Sequence, residues 1–380
     1  MLHEPFYDPL KSYEANLAEG PFGAFADGNI YQDEGEPKEN FLGHKVYVPF
    51  GIAPGPLING QFVKAALDKG FDIVTYKTVR SRPHPCHPWP NVVPVAVEGN
   101  LTLEKAAKGL VSKADFVDPI AITNSFGVPS LSPDEWQPDV AACVHYAGNG
   151  QVVVGGFQGT PDGSGREEQL IEDYVQVAKL LVEAGVKIVE ANLSCPNEGT
   201  SHLLCFDVPR VQKIAAAVKE AIGNIPLILK TAYFADNNLL EHILTEVGAI
   251  ADAFAMINTI AAPVVTTDGS QALPGPGRLK SGVCGAPIKW AGLEMVGRAR
   301  EIRAKHNLKF TIIGIGGVTR PSDYTEYRSV GADAVECATG AMWNPYLAQE
   351  IKKDLKNKKA ALQLSVRGSR FKGHYATRLC

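Results

Sequence analysis

Asn192-Leu193-Ser194-Cys195-Pro196-Asn197 sets a thiol between two carboxamides, directly after the apolar run 186–191. The run reads as a buried strand, so the motif sits where a strand becomes a loop. Each carboxamide offers an acceptor oxygen and a two-proton donor, which suits the edge of a flat heterocycle with imide or amide groups. The Cys195 thiol, once deprotonated, is a base able to take a proton from carbon or nitrogen. Pro196 fixes the backbone and turns Asn197 away from Asn192. An isolated cysteine is most often a small buried apolar residue. Here the flanking carboxamides and the strand-end position favour chemistry.

Two lysines stand at comparable places, Lys77 in Val74-Thr75-Tyr76-Lys77-Thr78 and Lys230 in Leu227-Ile228-Leu229-Lys230-Thr231. Strand-end lysines are often only solvated caps. A flavin that takes up electrons, however, needs a fixed positive charge near its pyrimidine ring. Two more carboxamides, in Asn124-Ser125-Phe126-Gly127-Val128-Pro129 and in Asn258-Thr259, complete a set of four with Asn192 and Asn197. One Asn alone is a turn former or cap; four beside a thiol and two lysines exceed what capping requires. Late in the chain, 310–318 runs a buried strand into the turn Gly316-Gly317, and 331–340 repeats the arrangement. Bare backbone N–H groups in two such consecutive loops suit a phosphate. No GxGxxG with an acidic partner stands near the chain start, so a mononucleotide such as FMN fits better than a dinucleotide.

The elements that must position these residues follow from hydrophobic periodicity. Apolar runs at 47–53, 72–77, 151–156, 187–192, 226–230, 253–258, 310–314 and 333–337 read as strands. Amphipathic patterns at 167–183, 208–222, 238–249, 289–306 and 322–330 read as helices between them. Strands alternating with crossovers predict a closed parallel (β/α)8 TIM barrel, with an open doubly wound sheet as the alternative. The expected organisation is an N-terminal arm (1–43), a barrel (44–355) and a C-terminal tail (356–380). The stretch 78–150 is too long for a crossover and reads as an inserted cover over the C-terminal face. It opens with His84-Pro85-Cys86-His87-Pro88-Trp89-Pro90, whose donors are too extended and proline-bound to surround one ion, so no metal is expected.

Composition excludes several classes. The chain has 380 residues, 45% of them hydrophobic, and a net charge of -4, which gives no basic surface for nucleic acid. The most apolar stretch, 247–265, contains Asp252, Asn258 and Pro263, so no membrane span is expected. The start lacks a secretory pattern, and seven scattered cysteines without a CxxC pair suit reduced thiols in the cytoplasm.

Over about residues 45–350, these motifs resemble the soluble, cysteine-dependent class 1 dihydroorotate dehydrogenase family. The resemblance makes 192–197 the catalytic loop with Cys195 as base, where the membrane-associated class carries Ser. It makes Asn124, Ser125, Phe126, Gly127 and Val128 the substrate-edge loop, and Asn258-Thr259 the last substrate pair. Lys77 corresponds to the lysine near flavin and substrate carboxylate, and Lys230 to the lysine at the flavin ring. Ala53-Pro54-Gly55 resembles the first flavin loop, while Gly316-Gly317 and Ala338-Thr339 resemble the phosphate loops. Thr78, Asn192, Ile257, Cys284 and Gly285 complete the implied flavin contacts.

The implied reaction is FMN-dependent oxidation of (S)-dihydroorotate to orotate in de novo pyrimidine biosynthesis. Cys195 takes the C5 proton, a hydride passes from C6 to flavin N5, and the four Asn hold the ring flat on the isoalloxazine. Lys77 and the backbone of the 126–128 turn receive the carboxylate. A homodimer is implied, with a separate electron-transfer subunit as an option. Cys284 stands where the family usually has Gly or Ser, and the arm and the enlarged excursion 78–123 exceed its compact pattern. Two rival readings are a dihydropyrimidine dehydrogenase-like reductase, which typically has His at the place of Asn197, and a flavin-binding electron-carrier subunit without turnover.

Overall fold

The computed structural model describes residues 2–194 and 203–372, with side chains to residue 361. Eight parallel strands close into a barrel: β1 (Phe50–Ile52), β2 (Ile73–Val79), β3 (Val152–Phe157), β4 (Val189–Asn192), β5 (Leu227–Thr231), β6 (Ala253–Met256), β7 (Thr311–Ile315) and β8 (Ala334–Cys337). They pair in chain order, and β8 closes on β1. Each of the eight apolar runs read from the sequence carries one strand. Such strands are buried on both faces, which is why they appear as continuous apolar runs rather than alternating ones. Inside, Ile73, Val154, Ile228, Ala255 and Ile313 pack as one cluster, with Phe41 and Val46 of the hairpin Glu39–Phe41/His44–Val46 joining it.

Eight helices clothe the outside: α1 (Gly60–Asp68), α2 (Pro133–Tyr146), α3 (Glu167–Glu183), α4 (Val208–Ile222), α5 (Asn237–Val247), α6 (Lys289–Lys305), α7 (Pro321–Val330) and α8 (Leu347–Lys372). α3 shows why they form and where they point. Tyr174, Val177, Ala178 and Leu181 recur at helical spacing and are all buried. Full burial of one such aliphatic side chain contributes about 1.5–3 kcal/mol. Caps fix the helix starts: Asn59 accepts from Gln61 N and Phe62 N on α1, and Asp207 accepts from Arg210 N on α4.

The cover differs from expectation. It is a five-stranded sheet in the order Val92–Pro94, Ala121–Asn124, Lys280–Gly285, Ile260–Val265, Leu110–Val111. Two excursions therefore build it, one after β2 and one after β6, whereas the sequence reading placed it in 78–150 alone. That interval also holds α2, a barrel helix. The run 247–265 hides the second excursion, because β6 and the cover strand Ile260–Val265 are both apolar and nearly contiguous.

The N-terminal segment is tied down firmly. His3 N donates to Trp343 O at 3.0 Å and Phe6 N to Met342 O at 3.1 Å, and the Phe6 ring stacks on Phe25 and Phe62. At the other side of the barrel, Lys352 of α8 reaches Asp72 and Asp33, both at 2.6 Å. Among the described residues no helix is long and apolar enough to cross a membrane.

Candidate active site

Beyond the C-terminal ends of the strands lies an open cavity, walled on its far side by the cover sheet. Concave, largely apolar hollows with a few convergent polar groups suit small-molecule ligands. The barrel lines it with Gly55 after β1, Lys77 and Thr78 on β2, Asn192 ending β4, Lys230 on β5, Asn258 and Thr259 after β6, and Ala338 and Thr339 after β8. The cover adds Asn124, Phe126, Gly127, Val128 and Cys284. Parallel strands all end on one face, so residues distant in sequence meet here. Cys195 and Asn197 lie outside the described residues, in the sequence just after Asn192, which lines the cavity.

Six expected site residues do not line the cavity. Ala53 packs in the barrel interior, its N donating to Cys337 O at 2.9 Å. Ser125 is buried behind the wall, its Oγ 3.1 Å from His87 Nδ1. Ile257 is buried and donates from its N to Ile315 O at 2.9 Å. Gly285 has φ +97°, and a Cβ there would collide with Ile120 O. Gly316 and Gly317 have φ of +118° and +70°, and a side chain on Gly317 would strike the backbone of Lys289. Their loop still abuts the Ala338–Thr339 side, since a Cβ on Gly340 would collide with Val318 O.

The carboxamides are anchored through their donors. Asn192 Nδ2 donates to Gln158 Oε1 at 2.7 Å. Asn258 Nδ2 donates to Ser194 O and Oγ at 3.2 and 3.0 Å, tying the end of β6 to the stem of the 195–202 segment. Asn124 Nδ2 donates to Gly282 O at 3.3 Å and to Cys284 Sγ at 3.5 Å. With the amide nitrogens engaged, the oxygens of Asn124 and Asn258 remain as acceptors for N–H groups of a ligand. Cys284 also receives the Thr339 hydroxyl at 3.2 Å, and burial pushes its thiol up, so it stays neutral.

Two buried arginines, which the sequence reading missed, clamp the 124–128 loop. Gly127 and Val128 both adopt positive φ, +77° and +53°. For a β-branched residue that conformation costs about 1–3 kcal/mol and persists only where its surroundings impose it. Arg80 supplies the constraint, donating from Nε to Val128 O at 2.9 Å and from a terminal nitrogen to Gly127 O at 3.4 Å. Arg278 donates to Ser125 O at 2.7 Å and to Pro88 O at 2.8 Å, joining the loop to the His84–Pro90 segment. That segment therefore braces the loop.

Beneath the cavity lies a charged floor. Lys230 Nζ stands 3.7 Å from Glu190 Oε1, with both side chains almost fully buried. Glu336 of β8 is also buried and accepts from Thr75 Oγ1 at 3.2 Å. Thr75, Glu190 and Glu336 come from even-numbered strands, the alternation that fills barrel interiors in layers. One lysine cannot neutralise two carboxylates. Burial first, then repulsion from Glu190, pushes the Glu336 carboxyl up to about 8, so it holds its proton at neutral pH. A glutamate inside an otherwise apolar strand was the visible signal for this layer, in 186–191 and in 333–337. The arginines offered no such signal, because their burial depends on a loop folded back from far along the chain.

The family model described as dihydroorotate dehydrogenase matches residues 116–358. Among curated proteins, the chain is 36% identical over 371 residues to dihydroorotate dehydrogenase of Dictyostelium discoideum, covering 94% of this chain and 99% of that one. It is 31% identical over 195 residues to the catalytic subunit of dihydroorotate dehydrogenase B (NAD(+)) of Maridesulfovibrio salexigens, covering 50% of this chain and 61% of that one. Among solved structures, an Eimeria tenella dihydroorotate dehydrogenase in complex with ferulenol superposes with a TM-score of 0.65 at 18% identity, over 88% of both chains. That last likeness speaks for the fold alone.

Proposed function

The chain belongs to the dihydroorotate dehydrogenase family, and on that premise we propose that this oxidoreductase converts (S)-dihydroorotate to orotate with FMN as its cofactor. The observation that carries the reading is the convergence of Lys77, Asn124, Asn192, Lys230 and Asn258 on one cavity. Two cations and three carboxamides around an otherwise largely apolar hollow match a planar, anionic, imide-bearing ring and a flavin beside it.

The donor set fits FMN. Lys230 would hold the flavin ring, Thr78 and Cys284 would flank it, and Ala338 and Thr339, with the Gly316–Gly317 loop abutting them, would take the phosphate end. When bound, FMN supplies the two-electron acceptor for the hydride that leaves substrate C6. The protein's own residues do the rest. The Cys195 thiolate takes the proton from C5. Asn124 and Asn258 present acceptor oxygens to ring N–H groups, while Asn192 and Asn197 complete the edge. Lys77 and the backbone of the Arg80-clamped 126–128 turn receive the carboxylate. The cover excludes water, which strengthens each of these contacts.

Anaerobic mixing of the purified protein with dihydroorotate tests this. The protein is expected to be yellow and to bleach. Cys195→Ser should slow bleaching at pH 7 by about 10²–10⁴-fold, the usual worth of a positioned base. Dihydrouracil, which lacks the carboxylate, should be at least about tenfold poorer in kcat/KM. Colourless protein, a Cys195→Ser rate equal to the native one, or equal use of both substrates would refute the assignment.

A further inference from the structure

One residue in the cavity wall comes from outside both the barrel and the cover. Tyr7, in the N-terminal segment, lines the same hollow as Lys77, Asn124 and Gly127. Its side chain is buried, and its Oη has no hydrogen-bond partner among the described residues. Buried phenol groups normally find a partner. Its position is fixed from both sides: Phe6 N donates to Met342 O at 3.1 Å, and Asp8 N donates to Asn16 Oδ1 at 2.8 Å. Asn16 Nδ2 returns a bond to Asp8 O at 2.9 Å. The ring meets Phe126 edge-on at 5.7 Å, which sets it against the 124–128 loop. Tyr7 is thus held firmly in the cavity wall while its buried hydroxyl lacks a partner among the described residues, an arrangement that suits a group received by the cavity.

We propose that Tyr7 is a substrate-contacting residue, its Oη donating a hydrogen bond to the carboxylate of the bound ring acid. This rests on the function proposed above. The carboxylate is favoured over a ring carbonyl because Tyr7 packs on the loop whose backbone, with Lys77, forms the anion-receiving end. An ionised acceptor makes the stronger bond to a neutral donor. Burial, with the neighbouring Cys86, pushes the Tyr7 hydroxyl well above its ordinary range, so it remains a donor throughout the working pH. The N-terminal segment is on this account part of the specificity apparatus: it adds one polar residue to a wall otherwise built by barrel and cover.

Tyr7→Phe in the FMN-loaded full-length protein tests the proposal, because it removes one oxygen and keeps the ring. Orotate affinity, titrated through the perturbation of flavin absorbance, should fall about ten- to a hundredfold, the worth of a hydrogen bond to a charged group. FMN content should be unchanged. The ligand-free melting temperature should stay level or rise, since an orphaned hydroxyl is removed, while the increase caused by saturating orotate should shrink. Unaltered orotate affinity overturns the proposal. Loss of FMN in place of orotate affinity overturns it too, by placing Tyr7 at the cofactor. A native protein that binds neither FMN nor orotate would instead overturn the function itself, before any variant is made.

Discussion

Glu336→Gln probes the charged floor of the site directly. Glu336 is fully buried, one oxygen accepts from Thr75 at 3.2 Å, and the other has no partner among the described residues. Burial and the neighbouring Glu190 lift its carboxyl from the ordinary 4.5 to about 8. In the unfolded chain it ionises near its ordinary value, so between these two limits the folded state carries one more proton. Stability from this group is therefore full at low pH and declines as pH rises, levelling off above about 8. The slope is about 1.4 kcal/mol per pH unit, or about 2–3 kcal/mol between about pH 5.5 and 7.5. Glutamine resembles the neutral acid and does not titrate. Urea denaturation of both proteins across this range should thus give a difference curve: the variant loses less stability with rising pH, by about that amount. Taking the difference cancels titrating groups remote from the floor, such as Asp72. Parallel curves would show that Glu336 is not protonated in the folded protein. In that case Lys230 holds it ionised across the whole range, and the two-carboxylate account of the floor fails.

Two further outcomes follow from the clamps. Lys352→Ala strands Asp72, whose carboxyl burial already lifts to about 6, and should cost about 3–5 kcal/mol of unfolding free energy near pH 8. The loss should be smaller near pH 5, where Asp72 takes up a proton; a pH-independent loss in denaturation would contradict the pairing. Arg278→Met removes the donor to Ser125 O and Pro88 O, so with the substrate and cofactor proposed above the KM for dihydroorotate should rise at least about tenfold while FMN content stays native. Unchanged steady-state kinetics would show that Arg80 holds the loop alone.

The barrel was legible because its strands are buried on both faces, and runs such as 310–314 have no other economical reading. The helices were legible where the apolar stripe is broad, as on α3 and α4. α2 was not, because only Trp136, Val140 and Cys143 are buried along its length and Pro138 interrupts the pattern. The cover escaped for a different reason. Ala121–Asn124 pairs with Lys280–Gly285, and no local pattern announces a partner so far along the chain. Strand-end residues were the most readable part of the site, since closure of a parallel barrel forces Lys77, Asn192, Lys230 and Asn258 onto one face whatever the loops do.

What spacing cannot convey is how a side chain's hydrogen-bonding capacity is divided between holding and reading. Asn258 was expected to read a ligand edge, yet its nitrogen binds Ser194, the residue just before the 195–202 segment. The same carboxamide that lines the cavity thus anchors Ser194, the last described residue before Cys195. Asn192 is likewise held by Gln158. Their orientation is therefore set before any ligand arrives, which lowers the ordering cost of binding and favours the geometry that reaction requires. Arg80, Arg278, Gln158 and Ser194 need touch no substrate to matter. They decide which atom of each reading group faces the cavity, and that depends on pairing between segments that the linear chain keeps far apart.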